Sequence, residues 1–304
     1  MRRVLAAGFA FALAGTALGQ ALERFEAVEP HMGTMARIVV YAPDAAQAKA
    51  GFAAAFARIK ALDEALSDYK PQSELNRLCR SKPGVPVRLS RDLFRVLDQA
   101  QRVARATHGA FDITVGPLTR AWRARREPTD AERAAVGYRK LKVEGRTQSA
   151  TLLAPGMQLD LGGIAKGFAA EEAVHRLEAL GLTHSMVALS GDIAAGEAPP
   201  FRDGWRVELG PDGRRVELLH QSVSTSGDTE QFWERDGIRF SHIFDPEHKL
   251  ALPAGQMVSV IGMRGMLADA LSTALRVIAG ESGVEKARLV LEEFPGYTAV
   301  FREP

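Results

Sequence analysis

The chain lacks the sequence patterns on which several common enzyme classes depend. It has one cysteine, Cys79, among 304 residues, which excludes an intrachain disulfide and fits any redox compartment. Neither Gly-x-Ser-x-Gly, His-Glu-x-x-His nor Cys-x-x-Cys occurs. Their absence argues against serine hydrolases, zinc proteases and thiol oxidoreductases. The dinucleotide fingerprint Gly-x-Gly-x-x-Gly and the P-loop are also missing.

The chain also has little excess charge of either sign. Its 39 basic and 37 acidic residues leave a net charge of +2, which gives no support for a nucleic-acid partner. Hydrophobic residues make up 46% of the chain, enough for a sizeable core. We therefore expect a globular protein that does not bind nucleic acid.

The N-terminus has the pattern of a secretory signal peptide. Arg2-Arg3 is followed by an apolar stretch, residues 4–19, and by small residues that permit cleavage after Ala21. The apolar stretch is shorter than the ~20 residues of a membrane span, although a retained anchor is the alternative. No cysteine near Ala21 offers a lipid attachment. We predict a signal peptide at 1–21, one domain at 22–304, and a soluble periplasmic protein with neither a lipid anchor nor a membrane span after cleavage.

Hydrophobic periodicity and turn signals predict a mixture of strands and helices, with hairpins in the second half of the chain. The fold class is therefore α/β or α+β, with mixed sheets flanked by helices. Asp44, Ser90 and Thr129 are candidate N-caps. The predicted strands are 36–41, 141–143, 150–153, 157–161, 186–189, 205–209, 215–219, 223–226, 240–244, 257–261 and 297–301, and the other predicted helices are 168–180, 266–279 and 284–294.

The stretch Leu159–Gly167 is the first candidate binding element. Asp160 lies in the predicted strand, and Gly162-Gly163 and Lys166 precede the predicted helix. Glycines let backbone approach a ligand closely, and a helix N-terminus offers N–H groups to an anion. An ordinary strand-to-helix turn has the same appearance. Lys166 could bind a phosphate or could simply be a surface lysine.

The helix around Leu267–Leu275 is the second candidate. Asp269 and Thr273 are four residues apart and lie on one face among apolar neighbours, so both need partners. Their oxygens suit a hard cation such as Mg²⁺. Asp269 could instead pair with an arginine while Thr273 bonds to its own helix.

Three further residues have side chains suited to a site. His242 precedes an Asp-Pro turn and could act as a general base near neutral pH. Tyr69 and Phe111 could stack on a flat ring. Each of the three could equally be structural. The charged stretch 120–139 is interpreted as a solvated face.

Seven short sequence blocks follow one another along the chain. They begin at Met32, Leu66, Gly109, Asp160, Ser224, His242 and Ala268, and read MGT, LSDYKPQSEL, GAFDITVGPL, DLGGIAKG, STSGD, HIFDP and ADALSTA. In sequence and in order, these blocks resemble the ApbE family of FAD:protein FMN transferases. The resemblance extends over essentially the whole of 22–304.

The resemblance implies an exported enzyme that uses FAD and Mg²⁺. Such an enzyme breaks the FAD pyrophosphate, moves FMN to a threonine or serine hydroxyl of a target protein, and releases AMP. The implied partner is an acceptor flavoprotein of a membrane redox complex.

The resemblance also assigns roles at the matching positions. His242 is the implied base for the acceptor hydroxyl, and Ala165, Asp269 and Thr273 are the implied Mg²⁺ ligands, Ala165 through its carbonyl. The implied FAD contacts are Met32, Tyr69, Ala110, Phe111, Asp112, Asp160 and Lys166.

This chain departs from the family pattern at three places. Cys79 replaces a common Asn, Ser190-Gly191-Asp192 replaces a Gly-Gly pair, and Thr229-Glu230-Gln231 replaces aromatic and basic residues. Two alternatives to the transferase remain: an FAD pyrophosphatase, in which water replaces the acceptor hydroxyl, and a non-catalytic periplasmic flavin-binding protein.

Overall fold

A computed structural model of the chain describes residues 21–210, 213–227, 232–235 and 238–302. All but the last residue of the predicted signal peptide lies outside these ranges. Helices and strands are mixed, which confirms the predicted fold class. The α-helices are α1 (Ala45–Leu66), α2 (Glu74–Cys79), α3 (Arg91–Ala106), α4 (Gly116–Arg123), α5 (Asp130–Ala135), α6 (Ala165–Glu178), α7 (Gly265–Ser282) and α8 (Val284–Leu291).

Short 3-10 helices at Ile113–Val115 and Tyr138–Lys140 complete the described helical structure. The strands are β1 (Glu23–His31), β2 (Thr34–Ala42), β3 (Val87–Arg88), β4 (Leu141–Glu144), β5 (Ser149–Leu152), β6 (Ser185–Leu189), β7 (Asp192–Ala195), β8 (Trp205–Leu209), β9 (Arg214–Leu218), β10 (Ser222–Ser226), β11 (Phe232–Arg235), β12 (Ile238–Asp245), β13 (Leu250–Pro253), β14 (Met257–Gly262) and β15 (Thr298–Arg302).

The fold is organised around an antiparallel sheet of seven strands in the order β1-β2-β6-β7-β10-β14-β15. Helices α6 and α7 pack against it and against each other, and α1 packs on α6. The hairpin β8–β9 belongs to a separate apolar cluster, in which Trp205 and Leu218 lie with Val39 and Val223 of the sheet. Two three-stranded sheets, β3-β5-β4 and β11-β12-β13, complete the architecture.

Local sequence signals fix the starts of three helices as predicted. Asp44 Oδ1 accepts the Gln47 N–H at 2.8 Å at the start of α1, and Ser90 Oγ accepts the Leu93 N–H at 3.3 Å at the start of α3. Thr129 forms a full capping box at the start of α5. In each case the cap satisfies an N–H group that the first helical turn leaves unpaired.

The predicted strand at 157–161 is wrong. Within the part of the chain that the structure describes, this segment pairs with no strand, and its backbone N–H groups bond elsewhere. The Leu159 N–H donates to Cys79 Sγ at 3.3 Å, and the Asp160 N–H donates to the Ile113 carbonyl at 2.8 Å. The helix that follows starts at Ala165 instead of 168, so Lys166 lies in its first turn. Among the described residues, no helix has the length and apolarity to cross a membrane.

Candidate active site

The candidate site forms where the first turn of α6 lies against α7. A Cβ on Gly167 would stand 2.2 Å from the Gly265 carbonyl oxygen and 2.7 Å from Asp269 Cβ, so only glycine allows this approach. The Gly167 N–H donates to Asp269 Oδ2 at 2.9 Å. The N-terminal turn of α6 therefore holds the carboxylate in place.

A second close approach lies one turn along α7. A Cβ on Gly163 would lie 2.8 Å from Thr273 Oγ1, so the backbone of 163–167 follows the face of α7 that carries Asp269 and Thr273. Ala165 is buried at the centre of that segment. The structure thus places the three predicted metal ligands on two adjoining stretches of chain.

Buried charge concentrates at this contact. Lys166 Nζ lies 2.7 Å from Asp192 Oδ2 and donates to the Gly162 carbonyl at 3.2 Å. Asp192 and Asp269 are each only 2% exposed. Burial lowers the pKa of Lys166, but the carboxylates of Asp192 and Asp269 raise it more strongly, so the lysine is charged. Burial, followed by the charge of Asp192, raises the pKa of Asp269 to about 7.

Hydroxyl groups complete the polar lining. Ser224 donates to Asp192 Oδ1. Ser226 Oγ lies 3.0 Å from Thr273 Oγ1 and 2.8 Å from Ser272 Oγ. Asp192 and the serines of β10 are absent from the residues predicted for the site. The stretches that contain these residues stand out in the sequence. Only the sheet, however, shows that β7 and β10 pair with each other beside α7.

The donor atoms at this contact suit a hard divalent cation. They comprise a carboxylate, a hydroxyl and backbone carbonyls, and one ammonium offsets only one of two buried carboxylates. Ala165, through its carbonyl, Asp269 and Thr273 could hold such a cation.

A second group of possible ligands lies elsewhere. His248 Nδ1 is 2.6 Å from Asp245 Oδ2 and 3.2 Å from Glu281 Oε1. Hydrogen bonding to Asp245 raises the pKa of His248, as expected for a simple ion pair.

Arg123 organises the neighbouring rim. Its guanidinium bonds to Asp68, lies 2.9 Å from Asp160 Oδ2 and stacks 4.2 Å from the centre of the Tyr69 ring. Burial and the nearby charge of Asp160 raise the pKa of Asp68, since two carboxylates share one arginine. Tyr69 remains 68% exposed, so its ring is available for stacking.

This arrangement corrects the interpretation of 120–139 as a solvated face. Arg123 is only 28% exposed, and Arg120 donates to Asn76 Oδ1 at 2.8 Å. Asn76 in turn donates to the Asp68 carbonyl at 2.9 Å and so shapes the Tyr69 loop. Charge density along the sequence cannot separate these inward-pointing arginines on α4 from the exposed ones that follow.

The segment 110–112 lies beside Gly163. A Cβ on Gly163 would contact the buried Phe111 ring at 3.4 Å, so Phe111 packs against the glycine turn, which is the turn at residues 162–163 before α6. Ala110 is partly buried against the core. Asp112 is buried, and its Oδ1 accepts from the Thr114 N–H at 2.8 Å and from Thr114 Oγ1 at 2.7 Å. Burial raises the pKa of Asp112.

Met32 and His242 lie on other elements. Met32 occupies the β1–β2 turn with a φ of 51° and packs partly buried against the core. His242 lies on β12, with its ring centre 6.5 Å from that of Trp122. Its neighbour Ile243 packs with Ala110 and with Val277 of α7.

Two of the departures from the family pattern have a structural account. Cys79 is buried, and burial raises the pKa of its thiol, so it serves as an acceptor for backbone and not as a nucleophile. Ser190 has a φ of 56°, a conformation that glycine adopts more easily. The third departure, at 229–231, lies outside the described residues.

Comparison with known proteins supports the resemblance. The model of the ApbE family matches residues 32–301. A Treponema pallidum protein named FAD:protein FMN transferase is 33% identical over 95% of this chain and 88% of its own length. A Haemophilus influenzae protein of the same name is 33% identical over 75% of this chain and 72% of its own length.

Solved structures give the same result. The apo crystal structure of Pseudomonas stutzeri flavinyl transferase ApbE superimposes with a TM-score of 0.81 at 29% identity, covering 93% of both chains. The flavin transferase ApbE of Vibrio cholerae superimposes with a TM-score of 0.79 at 28% identity, covering 92% of this chain and 93% of that one. These similarities confirm the prediction of an enzyme of the transferase class.

Proposed function

Because this chain belongs to the ApbE family, we propose that it transfers FMN from FAD to a threonine or serine hydroxyl of an acceptor flavoprotein. The reaction depends on Mg²⁺ and releases AMP. The observation that best supports this chemistry is the buried Asp269, held by the Gly167 N–H beside Thr273. We place the reaction in the periplasm, on an acceptor that belongs to a membrane redox complex.

The residues at the α6–α7 contact have the chemistry that phosphoryl transfer needs. When bound by Ala165, Asp269 and Thr273, Mg²⁺ neutralises charge on phosphate oxygens. Lys166 adds a fixed positive charge, since Asp192 and Gly162 tether its ammonium. The exposed Tyr69 ring offers a face to the flavin or the adenine, whereas the buried Phe111 supports the turn at Gly163 from beneath. Asp160 is oriented by Arg123.

The acceptor hydroxyl loses its proton as its oxygen attacks the phosphorus of the FMN half. The bond from that phosphorus to the bridging oxygen breaks, and the bridging oxygen leaves with AMP. We propose that His242, whose ring lies beside that of Trp122, is the base that accepts this proton. An imidazole titrates close to neutral pH, which suits this role.

The test is an incubation of the mature protein with FAD, Mg²⁺ and a periplasmic flavin-acceptor domain, read by intact-mass spectrometry of the acceptor. We expect a mass gain of one FMN that EDTA abolishes, and stoichiometric AMP. Asp269→Ala should lose this transfer while FAD still binds. Asp203→Ala, which removes an exposed carboxylate, is the matched control and should behave as wild type. Full Mg²⁺-dependent transfer by Asp269→Ala would overturn the metal assignment.

The same incubation separates the alternatives. An FAD pyrophosphatase would release free FMN and AMP and leave several acceptors unmodified, because water replaces the hydroxyl. A flavin-binding protein would leave bound FAD intact. In either case the transferase proposal would be withdrawn.

A further inference from the structure

A groove on the small sheet β3-β5-β4 lies outside the site described above. It encloses about 1010 Å³ between the sheet, the C-terminal half of α3 and the 3-10 helix 138–140. Five basic side chains line it, together with one carboxylate, that of Glu144. These side chains, which define the basic groove, are Arg88, Arg105, Arg139, Lys142 and Arg146.

Strand register explains why three of these charged groups share one face. Arg88 pairs with Ser149, Ser149 pairs with Glu144, and Lys142 pairs with Thr151. Directly paired residues project from the same face of a sheet, and so do residues two apart on one strand. Arg88, Lys142 and Glu144 therefore point to the same side, and all three are exposed.

The positive charge of the basic groove is not neutralised internally. Within the described part of the chain, no carboxylate lies within 4.0 Å of its five cations. Glu144 Oε1 instead accepts the Arg146 backbone N–H at 3.0 Å. Five cations and one carboxylate give a local charge of +4, against +2 for the whole chain. By contrast, Arg58 and Arg95 on the core helices are both paired with Glu172.

The basic groove adjoins a segment of the candidate active site. The Tyr138 backbone N–H bonds to the Asp112 carboxylate, and a Cβ on Gly109 would lie 3.0 Å from the Tyr138 ring. The Tyr138 carbonyl is held by Gln101 Nε2 at 2.9 Å. Tyr138 thus joins the groove to the segment 109–112, which packs on the glycine turn.

We propose that the basic groove binds an acidic segment of the acceptor protein and so raises the acceptor's concentration at the transfer site. Exposed arginines recognise carboxylates through paired hydrogen bonds. A groove of this volume across three strands spans several residues of an extended chain, at about 3.3 Å per residue. The near-neutral charge of the remaining surface favours a protein partner over a nucleic acid, which needs a wider basic surface. This inference rests on the proposed function, since it identifies the partner as the acceptor.

A binding experiment tests the groove without any turnover. The probe is a fluorescein-labelled 12-residue peptide with eight glutamates, titrated by fluorescence anisotropy against the full chain in EDTA. The test variant is Arg88→Glu/Lys142→Glu/Arg146→Glu. Its matched control, Lys49→Glu/Lys60→Glu/Lys286→Glu, makes the same charge change at exposed lysines on α1 and α8. Equal melting temperatures establish that both variants fold, and Arg105→Gln/Arg139→Gln is the milder substitute if the first unfolds.

We expect the groove variant to weaken peptide binding about tenfold, and the control less than about twofold, as three exposed charge contacts would give. Equal losses in both variants would overturn the proposal, because the attraction would then be unspecific. Tighter binding of a 12-nucleotide oligo-dT than of the glutamate peptide would overturn the choice of a protein partner.

Transfer kinetics then connect the groove to the acceptor. The groove variant should raise KM for the acceptor about tenfold while kcat and KM for FAD stay unchanged. Unchanged KM for the acceptor would overturn the inference even if the peptide binds. If the wild type transfers no FMN to any acceptor, the proposed function fails, while the peptide titration still decides whether the groove binds acidic chains.

Discussion

Replacing Gly167 by alanine should lower stability and disturb the proposed metal site, although the substitution is favourable in most helices. In an open helix, Gly→Ala stabilises by about 1 kcal/mol. In this structure the new Cβ would meet the Gly265 carbonyl oxygen at 2.2 Å and Asp269 Cβ at 2.7 Å. Both atoms belong to α7, and neither is the flexible end of a side chain.

The clash fixes the sign and size of the effect. Carbon atoms in contact prefer about 3.5–4.0 Å, so α6 and α7 must separate by about 1 Å. Overpacking costs about 1–3 kcal/mol, and a clash with backbone at 2.2 Å belongs to the upper end of that range, about 2–3 kcal/mol, which exceeds the helix-propensity gain. We expect a net loss of about 1–2 kcal/mol, or about 2–8 °C in melting temperature for a chain of this size. The same separation should stretch the bond from the Gly167 N–H to Asp269, so Mg²⁺-dependent transfer should fall more than FAD binding.

Urea unfolding, isothermal titration of FAD and the acceptor mass assay together check this prediction. Gly145→Ala is the control, because its Cβ would meet only Phe94 Cζ, at an ordinary 3.9 Å. A Gly167→Ala protein as stable as wild type, with unchanged transfer, would show that α6 and α7 are not locked together at this point.

Two further substitutions probe the charges of the site. Arg123→Met leaves Asp68 and Asp160 without their shared cation and should cost about 1–3 kcal/mol in urea unfolding. Arg126→Met breaks an exposed ion pair and should lower stability clearly less, so equal losses in the two variants would refute the bridging role of Arg123. The pKa of Asp269 is raised to about 7 from 3.8, so the folded metal-free protein keeps a proton that the unfolded chain releases. Its stability should therefore fall as pH rises from about 4 to 7. Asp269→Asn in EDTA should reduce the loss between pH 5 and pH 8 by about 2 kcal/mol, whereas an identical loss in both proteins would contradict the raised pKa.

Much of the helical structure follows from short-range signals. Asp44, Ser90 and Thr129 cap the helices that the sequence assigned to them, because capping involves only the next three residues. Strand β1 is missing from the predicted strands, since its four charged residues resemble those of a solvated surface segment. It forms because it pairs along its whole length with β2.

Only part of the candidate site could be predicted, because some of its contacts are local in the sequence and others form only in the tertiary fold. The spacing of Asp269 and Thr273 on one helix face is local, so the sequence could identify them as partners. Asp192 reaches Lys166 only through the pairing of β6 with β7 and of β7 with β10. Arg123 reaches Asp68, which precedes it by 55 residues, only through the tertiary fold. Contacts of such sequence separation leave no periodicity that a single sequence could display.

The charges at the α6–α7 contact connect stability with function. Lys166 offsets one of the two buried carboxylates, and the raised pKa of Asp269 shows that the second is poorly compensated. A protein without a functional need would gain stability from an apolar residue at this position. The glycines that bring α6 against α7 instead exclude side chains that could shield the carboxylate. This under-neutralised carboxylate therefore supports the proposal that a cation binds at this contact during phosphoryl transfer.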